Sequence, residues 1–177
     1  MDELLLKRVK DGDPTSFKQL YNRYVDKALR VATAMTRNKE LAKDAVQETF
    51  IRVYRNIESY DLSKPFDPWF YKILTNECNR LLQKESKTSS FDPSELDYDS
   101  EHVEEEVKDY SDLYQAIQEL KDIYRIPIIL KYIKGFSEKE IAEILELKQN
   151  TVKTRLYQGR DKLKLALEIL KRRERHV

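Results

Sequence analysis

The sequence of 177 residues is poor in the side chains that form disulfides and metal sites, with one cysteine, Cys78, and two histidines, His102 and His176. One thiol excludes an intramolecular disulfide and a cysteine-rich zinc site, and two histidines do not favour a histidine-clustered metal site. No apolar run approaches the ~20 residues of a membrane-spanning helix, and the amino-terminal segment MDELLLKRVKDGD is too acidic for a secretory signal. We therefore expect a soluble cytoplasmic protein without a metal or other cofactor.

Glycine is also scarce: the chain has three, Gly12, Gly135 and Gly159. They are too few and too far apart for the glycine-rich phosphate-binding loops of Rossmann or P-loop proteins. The chain is instead rich in strong helix formers such as Leu, Glu, Lys, Arg and Ala. This composition predicts an all-α protein.

The net charge of +1 hides an uneven distribution along the chain. Residues 1–85 carry a net +3, residues 86–112 a net −8 and residues 113–177 a net +6. The acidic stretch contains Pro93 and few aliphatic side chains, which is typical of a solvated linker. We predict two small helical domains, at 1–85 and 110–177, joined by an acidic flexible linker at 86–109. The linker is either a soluble tether or a segment whose charge lets it occupy a basic channel of a nucleic-acid enzyme.

The first domain should begin with two helices. Asp13 and Pro14 form a start signal for a helix from about 15 to 36, and a second helix follows Asn38. The apolar stripe predicted for the second helix consists of Leu41, Ala45, Val46, Phe50, Val53, Tyr54 and Ile57. Its opposite face carries Asp44, Gln47, Glu48, Ile51 and Arg55. That face is either simply solvated or a contact surface for another protein.

An aromatic segment follows, with a loop that contains Pro65 and Pro68 and a helix to about Glu85. Its five rings belong to Tyr60, Phe66, Trp69, Phe70 and Tyr71. With the polar side chains of Asn76, Asn79 and Arg80 beyond them, the rings suit base stacking and base reading. The alternative is that they fill the core. We expect about two thirds of them to be buried and Tyr60, in the loop, to be exposed.

The second domain carries the pattern of a helix-turn-helix motif. A helix from about 110 to 120 precedes an apolar segment in which Pro127 should begin a new helix that ends at Gly135. Ser137 and Glu140 then form a capping box, a turn follows at 146–148, and a long helix runs from about 149 to 173. The buried stripe predicted for the long helix is Val152, Leu156, Gly159, Leu163, Ala166 and Leu170. Small side chains at Ala142 and Gly159 should let the helices approach closely.

The free face of the long helix is basic and polar, with Lys153, Thr154, Arg155, Tyr157, Gln158 and Arg160. Between residues 148 and 177 the chain has ten basic and three acidic residues. Lysine and arginine neutralise phosphates, whereas Gln, Thr and Arg side chains read base edges. A basic helix face is often only solvated, but a helix-turn-helix context favours entry into the major groove.

Four segments together resemble the extracytoplasmic-function (ECF) sigma factors of bacterial RNA polymerase. They are DAVQETF at 44–50 with Arg55, PWFYKI at 68–73 with Asn76, SEKEIAEIL at 137–145 and TVKTRL at 151–156. The likeness covers nearly the whole chain. It implies a transcription initiation factor that is not an enzyme, binds core RNA polymerase and directs it to −35 and −10 promoter elements.

The resemblance also implies a role for each face. The Asp44, Gln47, Glu48, Ile51 and Arg55 face matches the surface that docks on the β′ clamp helices. The second domain would contact the β flap, and the acidic linker would thread toward the polymerase active centre. The −10 element would be melted and read by Tyr60, Phe66, Trp69, Lys72, Asn76, Asn79 and Arg80, with Tyr60 and Asn76 holding an unstacked base. The −35 element would be read by Lys153, Thr154, Arg155, Tyr157, Gln158 and Arg160.

The family also implies an anti-sigma partner, often membrane-bound, and no small-molecule substrate. The chain departs from the family pattern at Glu146, where a glycine is usual in the turn, at Lys148, and at the Gln158-Gly159 pair. Two other interpretations stay open. One is a helix-turn-helix repressor whose first domain dimerises or binds a ligand, and the other is a helical enzyme that uses Asp44 and Glu48 as paired carboxylates.

Overall fold

The computed structural model describes residues 3–88 and 111–174, and all regular structure in these ranges is helical. His102, His176, Pro93 and most of the predicted acidic linker lie outside the described residues. The predicted fold class, two helical domains, is confirmed. The helices are α1 (Glu3–Lys10), α2 (Pro14–Thr36), α3 (Lys39–Asn56), a 3₁₀ turn (Ile57–Ser59), α4 (Phe66–Thr88), α5 (Ser111–Glu119), α6 (Asp122–Ile128), a π-helix (Ile129–Ile133), α7 (Glu138–Leu145) and α8 (Gln149–Glu174).

The predicted helix starts are confirmed by their caps. The Asp13 carboxylate accepts hydrogen bonds from the backbone N–H groups of Thr15 and Ser16, at 3.2 and 3.1 Å. The Asn38 side chain caps α3 in the same way. At α7, Ser137 and Glu140 satisfy each other's backbone N–H groups, as a capping box requires. These side chains stabilise helix ends whose first N–H groups have no partner within the helix.

Besides Pro14, which begins α2 as predicted, two prolines lie within helices. At those two positions the sequence predicts a loop and a helix start. Pro68 belongs to the first turn of α4, where a missing N–H does no harm because no intrahelical acceptor is available. Pro127 does not begin a helix but lies within α6, which starts at Asp122. Its ring crowds the carbonyl four residues earlier, and the chain widens into the π-helix at Ile129–Ile133 just after it.

The first domain is a bundle in which α2, α3 and α4 pack against one another, with α1 against α2. The core stripe of α3 is confirmed at Val46, Phe50, Val53 and Ile57, each at most 4% exposed. Tyr54 is a correction, because its side chain is 61% exposed. It follows Val53 by one residue, so it lies about 100° around the helix from Val53, at the edge of the core stripe. The helix α1 is not predicted by the sequence analysis.

In the second domain α8 packs against α5, α6 and α7. Gly159 allows a close helix approach, as predicted, but to a different helix. A β-carbon at Gly159 would lie 3.1 Å from Ile128 and 3.4 Å from Tyr124, so the glycine lets α8 approach α6. The sequence analysis places this close approach within the helix-turn-helix. The glycine at the end of the apolar segment, Gly135, has a φ of +78°, as the predicted stop requires.

The two domains pack directly against each other, and their buried apolar side chains form one continuous cluster. Helix α4 contacts α7, and α2 contacts α6 and the π-helix. Phe136, which precedes α7, packs its ring against the edge of Tyr71 with centroids 5.5 Å apart. The ammonium of Lys134 lies 4.3 Å from the centroid of the same Tyr71 ring. Neither domain therefore depends on its own small core alone.

A buried arginine crosses this boundary. Arg125 of α6 is fully buried and donates from Nη2 to the carbonyl of Met35, at the end of α2, at 2.6 Å. Its Nη1 donates to the carbonyl of Leu120 at 3.0 Å, and Asp122 lies 2.8 Å from Nη2. Burial lowers the pKa of Arg125 to about 10, and the Asp122 carboxylate works against that shift. Because the last carbonyls of a helix lack intrahelical partners, the guanidinium satisfies and charge-balances the end of α2.

Candidate nucleic-acid and polymerase interfaces

The polar face of α3 lies on the surface, as the sequence predicts. Asp44, Gln47 and Arg55 are exposed, and Glu48 and Ile51 are half-buried. The Glu48 carboxylate lies 3.3 Å from Nε of Arg52, one turn further along the helix. A half-buried isoleucine among acid, amide and arginine side chains resembles the edge of a protein interface. The geometry brings these five residues together on one accessible face.

The aromatic segment differs from its prediction at Tyr60. This side chain is 3% exposed rather than open to solvent. Its hydroxyl donates to the carbonyl of Lys64, and its ring packs against Phe66 and Trp69, with centroids 5.5 and 4.8 Å apart. Burial raises the pKa of the Tyr60 hydroxyl. The loop folds back over its own tyrosine, so loop position is a poor guide to exposure here.

The other rings mostly fill the core, as expected. Phe66, Phe70 and Tyr71 are each at most 1% exposed, and Trp69 alone of the five rings is half-buried. Tyr60 and Phe66 therefore cannot stack on a base in this arrangement. They instead support Trp69 from beneath. Tyr24 strengthens the cluster, because its hydroxyl donates to the Asp67 carboxylate and burial raises the pKa of that hydroxyl.

The polar side chains of α4 have different surroundings. Asn76 and Arg80 are exposed, and Asn79 is half-buried. Lys72 forms an ion pair with Glu146, the residue that ends α7, with Nζ and Oε1 2.8 Å apart. Part of the predicted −10 surface thus faces the second domain.

One acidic residue of α4 was missed by sequence reasoning. Glu77 is 3% exposed and forms ion pairs with Arg52 of α3 and Arg80 of α4. The signal available in the sequence is the spacing of Glu77 and Arg80, which places the two on one side of a helix. The contact with Arg52 depends on how α3 and α4 pack, so no local pattern reveals it.

The helix-turn-helix prediction is confirmed in its geometry. Glu146 ends α7 with a φ of +54°, in the left-handed region that favours glycine, and α8 begins at Gln149. On α8, Arg155 is half-buried, and the exposed side chains of the predicted reading face are Lys153, Thr154, Tyr157, Gln158 and Arg160. Lys153 also lies 4.0 Å from Glu138 of α7. The face is therefore accessible, basic and projected from a rigid helix pair.

The described ranges, 3–88 and 111–174, hold no helix long and apolar enough to cross a membrane and no cluster of metal-ligating side chains. Cys78 is buried, and burial raises the pKa of its thiol to about 12, so the thiolate needed for nucleophilic chemistry is not formed near neutral pH.

Family models match both halves of the chain: Sigma-70 region 2 over residues 20–88 and Sigma-70 region 4 over residues 110–163. The chain is 35% identical to the ECF RNA polymerase sigma factor SigW of Bacillus subtilis, over 93% of its own length and 96% of that relative. It belongs to the ECF sigma factors. SigV of the same organism is 33% identical over 78% of this chain and 82% of its own.

Solved structures share the fold of this sigma factor. CnrH, in complex with the cytosolic domain of CnrY, gives a TM-score of 0.72 at 23% identity and covers 95% of this chain and 97% of its own. The sigma factor RpoE of Bartonella quintana, in complex with the anti-sigma factor NepR, gives 0.68 at 22% identity, over 86% and 97%. Sigma factors are non-enzymatic transcription initiation factors, and this chain is a transcription initiation factor of the ECF type.

The burial of Tyr60 generates a direct test. Replacing Tyr60 by Ala should lower the free energy of unfolding by about 3–5 kcal/mol, because a large ring is removed from a packed cluster. Replacing Tyr157 of α8, which is 60% exposed, by Ala is the matched control and should cost less than about 1 kcal/mol. Urea unfolding followed by circular dichroism measures both. Equal losses for the two variants would contradict the burial of Tyr60.

Proposed function

We propose that this ECF sigma factor binds core RNA polymerase through the α3 face, opens and reads the −10 element with α4, and reads the −35 element with α8. The proposal assigns residues 1–85 to −10 recognition, 86–109 to the linker and 110–177 to −35 recognition. The main support is that the α3 face and the α8 face are both accessible, and that they lie on helices matched by the region 2 and region 4 family models.

The docking surface is Asp44, Gln47, Glu48, Ile51 and Arg55. Its half-buried isoleucine provides apolar area, and its acidic side chains suit a basic partner helix such as those of the β′ clamp. We propose that the second domain contacts the β flap and that the chain carries out no catalysis and takes no small-molecule substrate.

Charge reversal tests the docking surface. The double variant Asp44→Lys and Glu48→Lys should lose at least about 100-fold in affinity for core polymerase, because like charges across an interface cost several kcal/mol. Its helix content should stay unchanged, since Asp44 is exposed and Glu48 is half-buried. Binding of fluorescently labelled chain to purified core polymerase measures the affinity.

The control is a second double reversal, Asp26→Lys and Glu119→Lys, which changes the net charge equally at exposed positions of α2 and α5. It should bind within about threefold of wild type. Equal affinity of the docking variant and wild type would contradict the assigned surface. A wild-type chain that does not bind polymerase at all would favour a stand-alone DNA-binding protein.

We assign the two DNA-binding surfaces from the side chains of α4 and α8 that are open to solvent. The −10 surface consists of Trp69, Lys72, Asn76, Asn79 and Arg80, with Tyr60 and Phe66 as the packed support beneath Trp69. The −35 surface consists of Lys153, Thr154, Arg155, Tyr157, Gln158 and Arg160. Amide and guanidinium groups on both surfaces suit base edges and phosphates.

Promoter binding requires the two domains to separate. The −35 and −10 elements lie about 25 base pairs apart, or roughly 85 Å along the duplex. A compact chain of this length has a radius of gyration of about 16 Å, and Lys72 and Glu146 lie 2.8 Å apart here. The 22 residues from 89 to 110 reach roughly 75 Å when extended, and the width of the two domains covers the remaining distance of about 10 Å between the elements. We propose that holoenzyme formation breaks the contact between α4 and α7.

Truncation of the basic side chains tests the −35 surface. Lys153→Ala and Arg160→Ala should each weaken promoter binding by the holoenzyme and lower the slope of log affinity against log salt by about one, because each removes one phosphate contact. Lys18→Ala, at an exposed position of α2, is the control and should leave the slope unchanged. Filter binding at several salt concentrations measures it, and unaltered slopes in the two α8 variants would contradict the assignment.

We also propose an anti-sigma partner and a cytoplasmic location. The support is fold likeness to RpoE of Bartonella quintana, which was solved with the anti-sigma factor NepR. A membrane-bound anti-sigma factor would hold this chain at the cytoplasmic face of the membrane. Co-purification of a small protein with the tagged chain from its native host tests the partner.

A further inference from the structure

A buried carboxylate joins α3 to α4 on the first domain. Glu77 is 3% exposed, and each of its oxygens has an arginine. Oε1 lies 2.7 Å from Nε of Arg52, and Oε2 lies 2.8 Å from Nε of Arg80. Arg52 in turn lies 3.3 Å from Glu48 on the docking surface. The network therefore runs from the proposed polymerase surface to the proposed −10 surface through one buried group.

The burial of Glu77 is unfavourable without its partners, because a desolvated carboxylate needs paired charges and hydrogen bonds. The two arginines are about half exposed, with side-chain exposures of 46% for Arg52 and 50% for Arg80. They would be well solvated without Glu77. The carboxylate therefore depends on the arginines, whereas the arginines depend on it only for their conformation.

The contact geometry leaves Arg80 ready for another anion. Glu77 holds Arg80 through Nε, so the described contact does not use the two terminal nitrogens of the guanidinium. Those nitrogens form the edge that binds phosphate in a bidentate manner. The same hydrogen bond raises the pKa of Arg80, a side chain that is charged at physiological pH in any case. Holding a long side chain in place beforehand lowers the entropy lost on binding.

We propose that Glu77 is a positioning residue, whose buried carboxylate, fixed by Arg52, orients the Arg80 guanidinium toward a backbone phosphate of the unpaired −10 strand. This inference rests on the proposed function, because it requires α4 to meet the −10 element. It adds a residue that makes no DNA contact of its own and yet sets the affinity for single-stranded DNA.

A double-mutant cycle in the reconstituted holoenzyme tests the proposal. The variants are Glu77→Gln, Arg80→Ala and the two combined, and the probe is a promoter fragment selected from random DNA by the wild-type holoenzyme. Glu77→Gln and Arg80→Ala should each weaken binding about fivefold and lower the salt slope by about 0.7, the value for one single-strand phosphate contact. The combined variant should be no weaker than Arg80→Ala alone, because the carboxylate acts only through that arginine.

Two controls separate positioning from a general loss of structure. Glu119→Gln removes one negative charge at an exposed site on α5 and should leave affinity and slope unchanged. Glu77→Met replaces the buried charge with an apolar side chain of similar length and should keep the fold, by circular dichroism, while it lowers the slope as Glu77→Gln does.

Each remaining outcome decides the question. Additive losses of affinity in the combined variant would overturn the positioning role of Glu77, and so would an unchanged salt slope in Glu77→Gln or Glu77→Met. If all of these variants still bind polymerase, the proposed function stands. A wild-type chain that forms no holoenzyme would overturn the proposed function itself, and with it the role of Arg80.

Discussion

The guanidinium of Arg125 is the group on which the arrangement of the two domains depends. It is fully buried at the boundary and joins the last turn of α2 to the start of α6 through the carbonyl of Met35. A buried charge is tolerated only where hydrogen bonds and an opposite charge replace water, and the carbonyls of Met35 and Leu120 together with Asp122 provide them. The boundary is nevertheless incompletely satisfied: Arg125 Nε, Tyr71 Oη and Gln118 Oε1 are buried without a hydrogen-bond partner among the described residues.

A domain boundary with both satisfied and unsatisfied polar groups suits a contact that forms and breaks. Each unsatisfied polar atom costs about 1–3 kcal/mol, which offsets part of the apolar burial around Tyr71 and Phe136. The same helix, α4, contacts α7 in the free chain and carries the proposed −10 surface. Lys72 illustrates the conflict, because it cannot hold Glu146 and a promoter phosphate at once. The packing of the free chain and the proposed promoter contact therefore compete for one helix face.

The helical content, the caps and the helix-turn-helix could be predicted because their signals are local. Asp13, Asn38 and Ser137 bond to backbone groups two or three residues away, and such contacts are readable from sequence. Tyr60 and Glu77 were misjudged or missed because their partners belong to packing between segments. The prediction that Pro127 begins a helix was wrong, because the chain stays helical past this proline and widens into a π-helix just after it. The faces of α3 and α8 were predictable only in part. Helical periodicity predicted that they are exposed, whereas only the family resemblance suggested which partners they bind.

A distance measurement shows whether the two domains separate when the chain binds polymerase and promoter DNA. Cys78 is buried, so spin labels can be attached selectively at cysteines introduced at exposed Glu58 in the first domain and Glu143 in the second. Pulsed electron spin resonance on the full chain should give one short distance when it is free and a much longer one when it is bound to core polymerase and promoter DNA. An unchanged short distance in the bound chain would show that the domains stay packed together on the promoter, contrary to the proposed separation.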